Sequence, residues 1–258
     1  MWKKLKTRMF SSSNIQVMSN AILKASKNLR RDFGELEKLQ NSNSSVQNFV
    51  NNSYRNTKDL IKLELTNARP EWNLLFKKND YEEINQKEDK LCLIKPISGI
   101  SNFAKGISYF ASSAIYFNNK EPEAVVIYDP IKDELFFSEK GRGAFVNNSR
   151  IRFSSTKNLS DALFVLDSKD LLLKSLNKDI IKKIEAEIRI FGCSCLDLAN
   201  LASGKIDCYV CEHELEKYLE PGILLIKEAG GIVYNYECKK NLTFYSNNYI
   251  SDFLKDFL

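Results

Sequence analysis

The sequence predicts a mixed α/β protein built from layers of sheet and helix. Three observations carry that prediction. Apolar residues recur at helical spacing through much of the first 68 positions. Hairpin-connected apolar runs follow between about 91 and 146. Strands and helices then alternate toward the C-terminus.

From Ser13 to Phe33 the apolar positions Ile15, Met18, Ile22, Leu23, Ala25 and Leu29 mark one helical face, with Gly34 as the expected stop. The Asn- and Ser-rich stretch Asn41 to Asn52 reads as a loop or irregular hairpin. A second helix is expected from about Asn52 to Ala68, ended by Arg69-Pro70, and Trp72 to Phe76 is a short strand. The polar, acidic run Asn79 to Lys90 reads as a surface loop. Leu91-Cys92-Leu93-Ile94 is an apolar run of strand length. Strands are then expected at Ser108 to Phe117, Ala124 to Tyr128, Glu134 to Ser138 and Ala144 to Val146. Turns at Asn118-Asn119-Lys120, Asp129-Pro130 and Gly141-x-Gly143 join them into an antiparallel meander. In the second half, strands at Ala162 to Leu166, Ile188 to Phe191, Asp207 to Glu212 and Ile232 to Asn235 alternate with helices at Asp170 to Ala186, Leu196 to Ala202 and Pro221 to Ala229. The expected division is a basic arm over 1–12, an N-terminal helix-and-sheet part to about 155, and an α/β part over about 156–258.

With 258 residues, 43% hydrophobic and 28% charged, the chain has ample length and apolar content for a sizeable core. No stretch has the eighteen or so apolar residues that span a bilayer, so no membrane partner is expected. Met1 to Phe10 is basic but lacks an apolar run and a small-residue cleavage site; it reads as a frayed arm, and the expected location is cytoplasmic. The net charge of +5 is spread along the chain, as solvated lysine-rich faces or a weak polyanion-binding surface would have it. Six cysteines in a chain of this size read as reduced thiols, most of them packed. Cys208-x-x-Cys211 before the only histidine, His213, invites a zinc reading, with Cys193 and Cys195 as further ligands. A strand places residues three apart on opposite faces, which argues against it.

The most informative segment is Ile94-Lys95-Pro96-Ile97-Ser98-Gly99-Ile100-Ser101-Asn102-Phe103, whose Pro, Gly, Asn and Phe read as a sharp strand-to-helix turn. Further signatures follow in order. They are Tyr128-Asp129-Pro130-x-x-Asp133-Glu134-Leu135-Phe136, Glu139-Lys140-Gly141-x-Gly143-Ala144-Phe145, Leu196-Asp197-Leu198-Ala199 with Ala202-x-Gly204-x-Ile206-Asp207, and Glu228-Ala229-Gly230-Gly231. Together with Arg30-Arg31-Asp32-Phe33-Gly34, they resemble the inositol monophosphatase family of magnesium-dependent phosphomonoesterases, most closely its bacterial extragenic-suppressor branch. The resemblance runs from about Ser13 to the C-terminus. It implies a layered αβαβα sandwich, a homodimer and, in the family, catalytic magnesium. It also implies that Asp129, Asp133 and Asp197 serve turns and helix starts.

The chemistry departs from the family. Its first catalytic motif reads Asp-Pro-Ile-Asp-Gly-Thr-Thr-Asn-Phe, with both aspartates on magnesium and the first threonine activating water. Here those three positions are Lys95, Ser98 and Ile100. The upstream metal-binding glutamate becomes Lys77, the last metal aspartate becomes Tyr218, and the glutamate that touches the substrate alcohol becomes Cys211. The family's N-terminal Asp-x-Val-Thr-x-x-Asp stretch appears as Asn48 to Tyr54 without its acids. Four carboxylates are thereby exchanged for two ammonium groups, a hydroxyl and a phenol. Magnesium demands oxygen ligands, chiefly carboxylates and water, and ammonium groups repel it. Without the ion nothing lowers the pKa of the attacking water.

The expectation is a catalytically degenerate member of the family with no bound magnesium, acting as a binding or regulatory module. Lys77, Lys95 and the turn Gly99-Ile100-Ser101 are candidates for a metal-free anion pocket accepting a phosphorylated small molecule. By resemblance alone, a transcription-machinery protein is a candidate partner. The alternative is a surviving magnesium-dependent phosphomonoesterase acting on inositol phosphate or a related sugar or nucleotide phosphate, with ligands drawn from Glu82, Glu83, Glu88 or Asp89. A Cys211 thiolate near Lys217 and the lone His213 are the remaining candidate reactive groups; as packed or surface side chains they would be inert.

Overall fold

A computed structural model describes residues 12–39, 43–76, 90–169, 171, 186–212, 221–236 and 242–257. All of the expected loop Asn79 to Lys90 but Lys90, which opens a strand, nearly all of the expected helix Asp170 to Ala186, and Lys77, His213, Lys217 and Tyr218 lie outside the described residues.

Two long helices, α1 (Ser13–Leu39) and α2 (Asn43–Ala68), open the chain. The apolar face of α1 continues past Gly34 to Leu36, which is buried, so the helix does not stop at the glycine. Likewise, α2 begins nine residues before Asn52, inside the stretch that reads as a loop from its Asn and Ser content. Val50, 1% exposed, packs with Leu29, Phe33 and Leu36 of α1, and this burial overrides the weak helix propensity of its neighbours. The end of α2 at Ala68, before Arg69-Pro70, matches expectation. Arg69 also donates to the Ser13 hydroxyl, tying the end of α2 to the start of α1.

Among the described residues, seven strands then form a sheet in sequence order: β1 (Asn73–Leu75), β2 (Lys90–Ser98), β3 (Ala111–Asn118), β4 (Glu121–Asp129), β5 (Glu134–Glu139), β6 (Gly143–Val146) and β7 (Ser149–Ile151). Every neighbouring pair is antiparallel except β1 and β2. The β3–β4 hairpin turns on Asn119 and Lys120, both at positive φ (49° and 67°), the signs that a two-residue turn of this hand requires. A five-residue helix, α3 (Ile100–Ala104), leaves the end of β2.

A second sheet has the order β11-β12-β10-β8-β9, from β8 (Leu163–Leu166), β9 (Glu187–Arg189), β10 (Cys208–Glu212), β11 (Ile232–Tyr236) and β12 (Leu242–Ser246). Helices α4 (Ser194–Ala202) and α5 (Gly222–Glu228) precede β10 and β11, and α6 (Asn248–Phe257) follows β12. Asn247 caps α6 by accepting from the Ile250 amide at 2.9 Å, and its Nδ2 donates to the Thr156 carbonyl at 2.9 Å.

Alternation along β2 sorts its residues between layers, as pleated geometry requires. Cys92 and Ile94 face α1 and α2, whereas Leu91 and Leu93 face a central core shared with α4, α5 and the second sheet. Beyond the second sheet, Phe164, Cys208 and Phe244 pack with Ile250 and Leu254 of α6. The layers therefore run helix, sheet, helix, sheet, helix, which is the αβαβα sandwich. The same alternation separates Cys208 from Cys211, which lie in different core clusters on opposite faces of β10.

Candidate functional site

The segment after Ile94 shows why its non-acidic residues are the ones the fold needs. The pairing of β2 with β3 shifts register between Lys95 and Ser98, so the strand bulges as it leaves the sheet. The Pro96 carbonyl exposed by the bulge accepts from the buried Ser112 hydroxyl at 2.6 Å. Ile97 turns away into a cluster with Leu29, Phe33, Phe103 and Phe110, whose rings stand 5.0 to 6.0 Å apart. Gly99 takes the left-handed conformation (φ 78°). A Cβ there would lie 2.9 Å from the Tyr109 carbonyl oxygen and 3.0 Å from Cys193 Cβ, so both conformation and close approach demand glycine.

Asn102 holds the turn to its walls. Its Nδ2 donates to the carbonyls of Tyr109 and Phe191, each at 2.8 Å, and joins the loop after α3 to the segment before α4. The Tyr109 and Phe191 rings pack at 5.1 Å between centroids. Phe103 is fully buried. The Pro-Gly-Asn-Phe framework is thus fully employed.

On this scaffold Lys95 is half-buried, opposite Ser113 in the β2–β3 register. Ser98 is 8% exposed, with the Cys193 Sγ 3.5 Å from its hydroxyl. Ile100 and Ser101 open α3, and the Ile100 side chain is 40% exposed. Cys211, 2% exposed, is buried in the central core on β10. The structure therefore brings Lys95, Ser98, Gly99, Ile100 and Ser101 together on one turn. Among the described positions assigned to metal ligation, the donors are an ammonium and a hydroxyl, a set that does not fit a divalent cation. Among the described residues, no group of three or more His, Cys, Asp or Glu side chains is arranged to hold a metal.

Behind the turn lies a polar cluster that sequence reasoning missed. Asp197, 1% exposed on α4, accepts from the Tyr109 hydroxyl at 2.7 Å, and Asn200 Nδ2 donates to the same hydroxyl at 3.1 Å. Nearby, Tyr209 on β10 donates to Asp167 at 2.5 Å. Burial pushes the Asp197 carboxyl up to about 7, with the Asp167 charge adding to the rise and the Tyr109 hydrogen bond opposing it. Burial likewise raises the Tyr109 phenol and the Cys193 thiol far above their ordinary values. The Cys193 thiol is a packed group rather than a nucleophile. The other two surviving aspartates serve turns: Asp129 accepts from the Ile131 and Lys132 amides at 2.9 and 3.0 Å, and Asp133 accepts from the Tyr128 hydroxyl at 2.6 Å.

Comparison with known proteins agrees with this architecture. The inositol monophosphatase family model matches residues 11–252. An inositol-1-monophosphatase of Rhizobium meliloti is 35% identical over 230 residues, 86% of this chain and 85% of that protein. The Nus factor SuhB of Vibrio cholerae is 29% identical over 231 residues, covering 86% and 85%. The crystal structure of the extragenic suppressor protein suhB from Bartonella henselae superposes with a TM-score of 0.77 at 30% identity, covering 95% of this chain and 98% of that one. The similarity thus spans relatives carrying both kinds of name, and the chain belongs to the inositol monophosphatase family.

Proposed function

We propose that this chain is a non-catalytic member of its family, retained as a binding or regulatory module. The observation that supports this is the pairing of an intact scaffold with the wrong donors. Pro96, Gly99, Asn102 and Phe103 are packed and hydrogen-bonded in the turn, while Lys95 and Ser98 stand where the resemblance places two magnesium ligands. An ammonium in a cleft of reduced dielectric repels a divalent cation. Lysine attracts a phosphate but makes no hydroxide, and phosphate-monoester hydrolysis is among the slowest uncatalysed reactions.

The narrower form of the proposal is a metal-free pocket for a phosphorylated small molecule at Lys95 and the Gly99–Ser101 turn, with Lys77 contributing charge. Because α3 has only five residues, the lysines supply most of the attraction. Relatives named as Nus factors support a partner in the transcription machinery. A homodimer is the proposed assembly.

The test is phosphate release from inositol, sugar and nucleotide monophosphates with magnesium present. The unmodified chain is expected to show no magnesium-dependent release above buffer. Robust turnover would establish the phosphomonoesterase reading instead, which the inositol-1-monophosphatase relatives favour. Calorimetric titration with inorganic phosphate and inositol phosphates tests the pocket separately, and an absence of millimolar binding rejects it.

A further inference from the structure

We infer that Asp197 is a proton-operated clamp on the turn that carries Lys95, Ser98 and Gly99. Gly99 is wedged between two walls, the Tyr109 carbonyl and the Cys193 side chain. Asp197 reaches both walls from behind: its carboxylate accepts from the Tyr109 hydroxyl at 2.7 Å, and its backbone amide donates to the Cys193 carbonyl at 2.9 Å. Asn200, one helical turn along α4, braces the same hydroxyl. One carboxylate thus joins the loop after α3 to the start of α4, across 88 residues of sequence.

The groups facing this carboxylate are Tyr109 from the loop, Cys193 from the start of α4 and Asp167 from the end of β8, with Tyr209 of β10 bound to Asp167. Neither Tyr109 nor Cys193 ionises near neutrality, since burial raises both. The proton that moves there is that of Asp197, whose carboxyl is pushed up to about 7. Ionised, Asp197 is a charge-assisted acceptor, roughly twice as strong as a neutral one. Protonated, it holds the Tyr109 wall more weakly.

The sign of the stability effect is opposite. The native carboxyl keeps its proton up to about pH 7, whereas an unfolded aspartate releases it near about 3.9. Between these values the unfolded chain binds fewer protons, so stability falls as pH rises through the window and levels off above it. Deprotonation tightens the turn locally while weakening the whole fold. Asp129 is raised in the same direction by burial, so some slope persists without Asp197.

Two measurements on the full chain test the clamp. In NMR, the Tyr109 ring resonances are expected to titrate with a midpoint near pH 7. Asp197→Asn should abolish that titration and flatten the fall of the urea midpoint between pH 4 and 8. Tyr109→Phe, which removes a donor that favours the ionised form, should move the Asp197 carboxyl midpoint upward and serves if Asp197→Asn folds poorly. A carboxyl resonance of Asp197 titrating near pH 4, or an Asp197 carboxyl titration unchanged in Tyr109→Phe, would overturn the inference.

Discussion

Gly222→Ala is expected to destabilise the protein by about 3 kcal/mol, at the upper end of ordinary overpacking costs. Gly222 opens α5 where that helix meets α4. A Cβ there would stand 2.2 Å from Leu198 Cβ, 2.8 Å from its Cδ1 and 3.0 Å from its Cγ. The nearest of these atoms is fixed to the backbone and no rotamer moves it away, so the two helices must separate. They form the central layer and touch both sheets, through Leu198 and Leu201 on α4 and Leu224 to Ile226 on α5. Separation therefore loosens the core shared by every layer around them. Gly34→Ala is the internal control. Gly34 lies within α1 and a Cβ there meets nothing within 4 Å, so alanine gains about 0.5–1 kcal/mol from reduced backbone freedom. Urea unfolding of both variants checks the pair. A Gly222→Ala midpoint equal to that of the native chain would show that the central layer yields far more readily than its packing indicates.

That contrast also explains which parts of the fold were legible. Periodicity located the apolar face of α1 but not its end, because a glycine stops a helix only where no tertiary burial continues beyond it. Leu36 supplies that burial. The start of α2 was hidden for the same reason, behind Asn and Ser whose local preferences lost to the packing of Val50. The β3–β4 and β4–β5 turns were legible because positive φ at Asn119 and Asp133 suits Asn and Asp and shows in composition. Strand β12 was not, since all five of its residues, Leu242 to Ser246, are buried and no alternation marks a face. At the site, the turn and the exchange of acids for Lys95 and Ser98 lay within ten consecutive residues. Asp197 looked like a helix-start residue because its partner, Tyr109, is distant in the chain. No spacing rule connects a phenol in one loop to a carboxylate on another helix.

Magnesium is expected to leave the melting temperature of the native chain unchanged, and to raise it once the four exchanged positions carry carboxylates. In the variant Lys77→Glu/Lys95→Asp/Ser98→Asp/Tyr218→Asp, the resemblance gives four carboxylates to one ion. Ser98 shows why this is costly without a cation: it is 8% exposed, with the Cys193 sulfur 3.5 Å from its hydroxyl, so a carboxylate there lacks water. A divalent ion relieves the repulsion and binds only the folded state. At a hundred times its dissociation constant, such binding adds about 2.7 kcal/mol, roughly 5–10 °C for a domain of this size. The native chain has no such crowding to relieve, because Lys95 brings a positive charge to a position that the resemblance gives to a metal ligand. Sodium chloride at matched ionic strength separates specific binding from screening. A saturable, magnesium-specific rise in the native chain would mean that carboxylates elsewhere reach the cleft, and the non-catalytic reading would lose its electrostatic basis. A variant that folds but gains nothing would show instead that the turn itself, with position 98 packed against Cys193, has settled into a shape that no longer accommodates an ion.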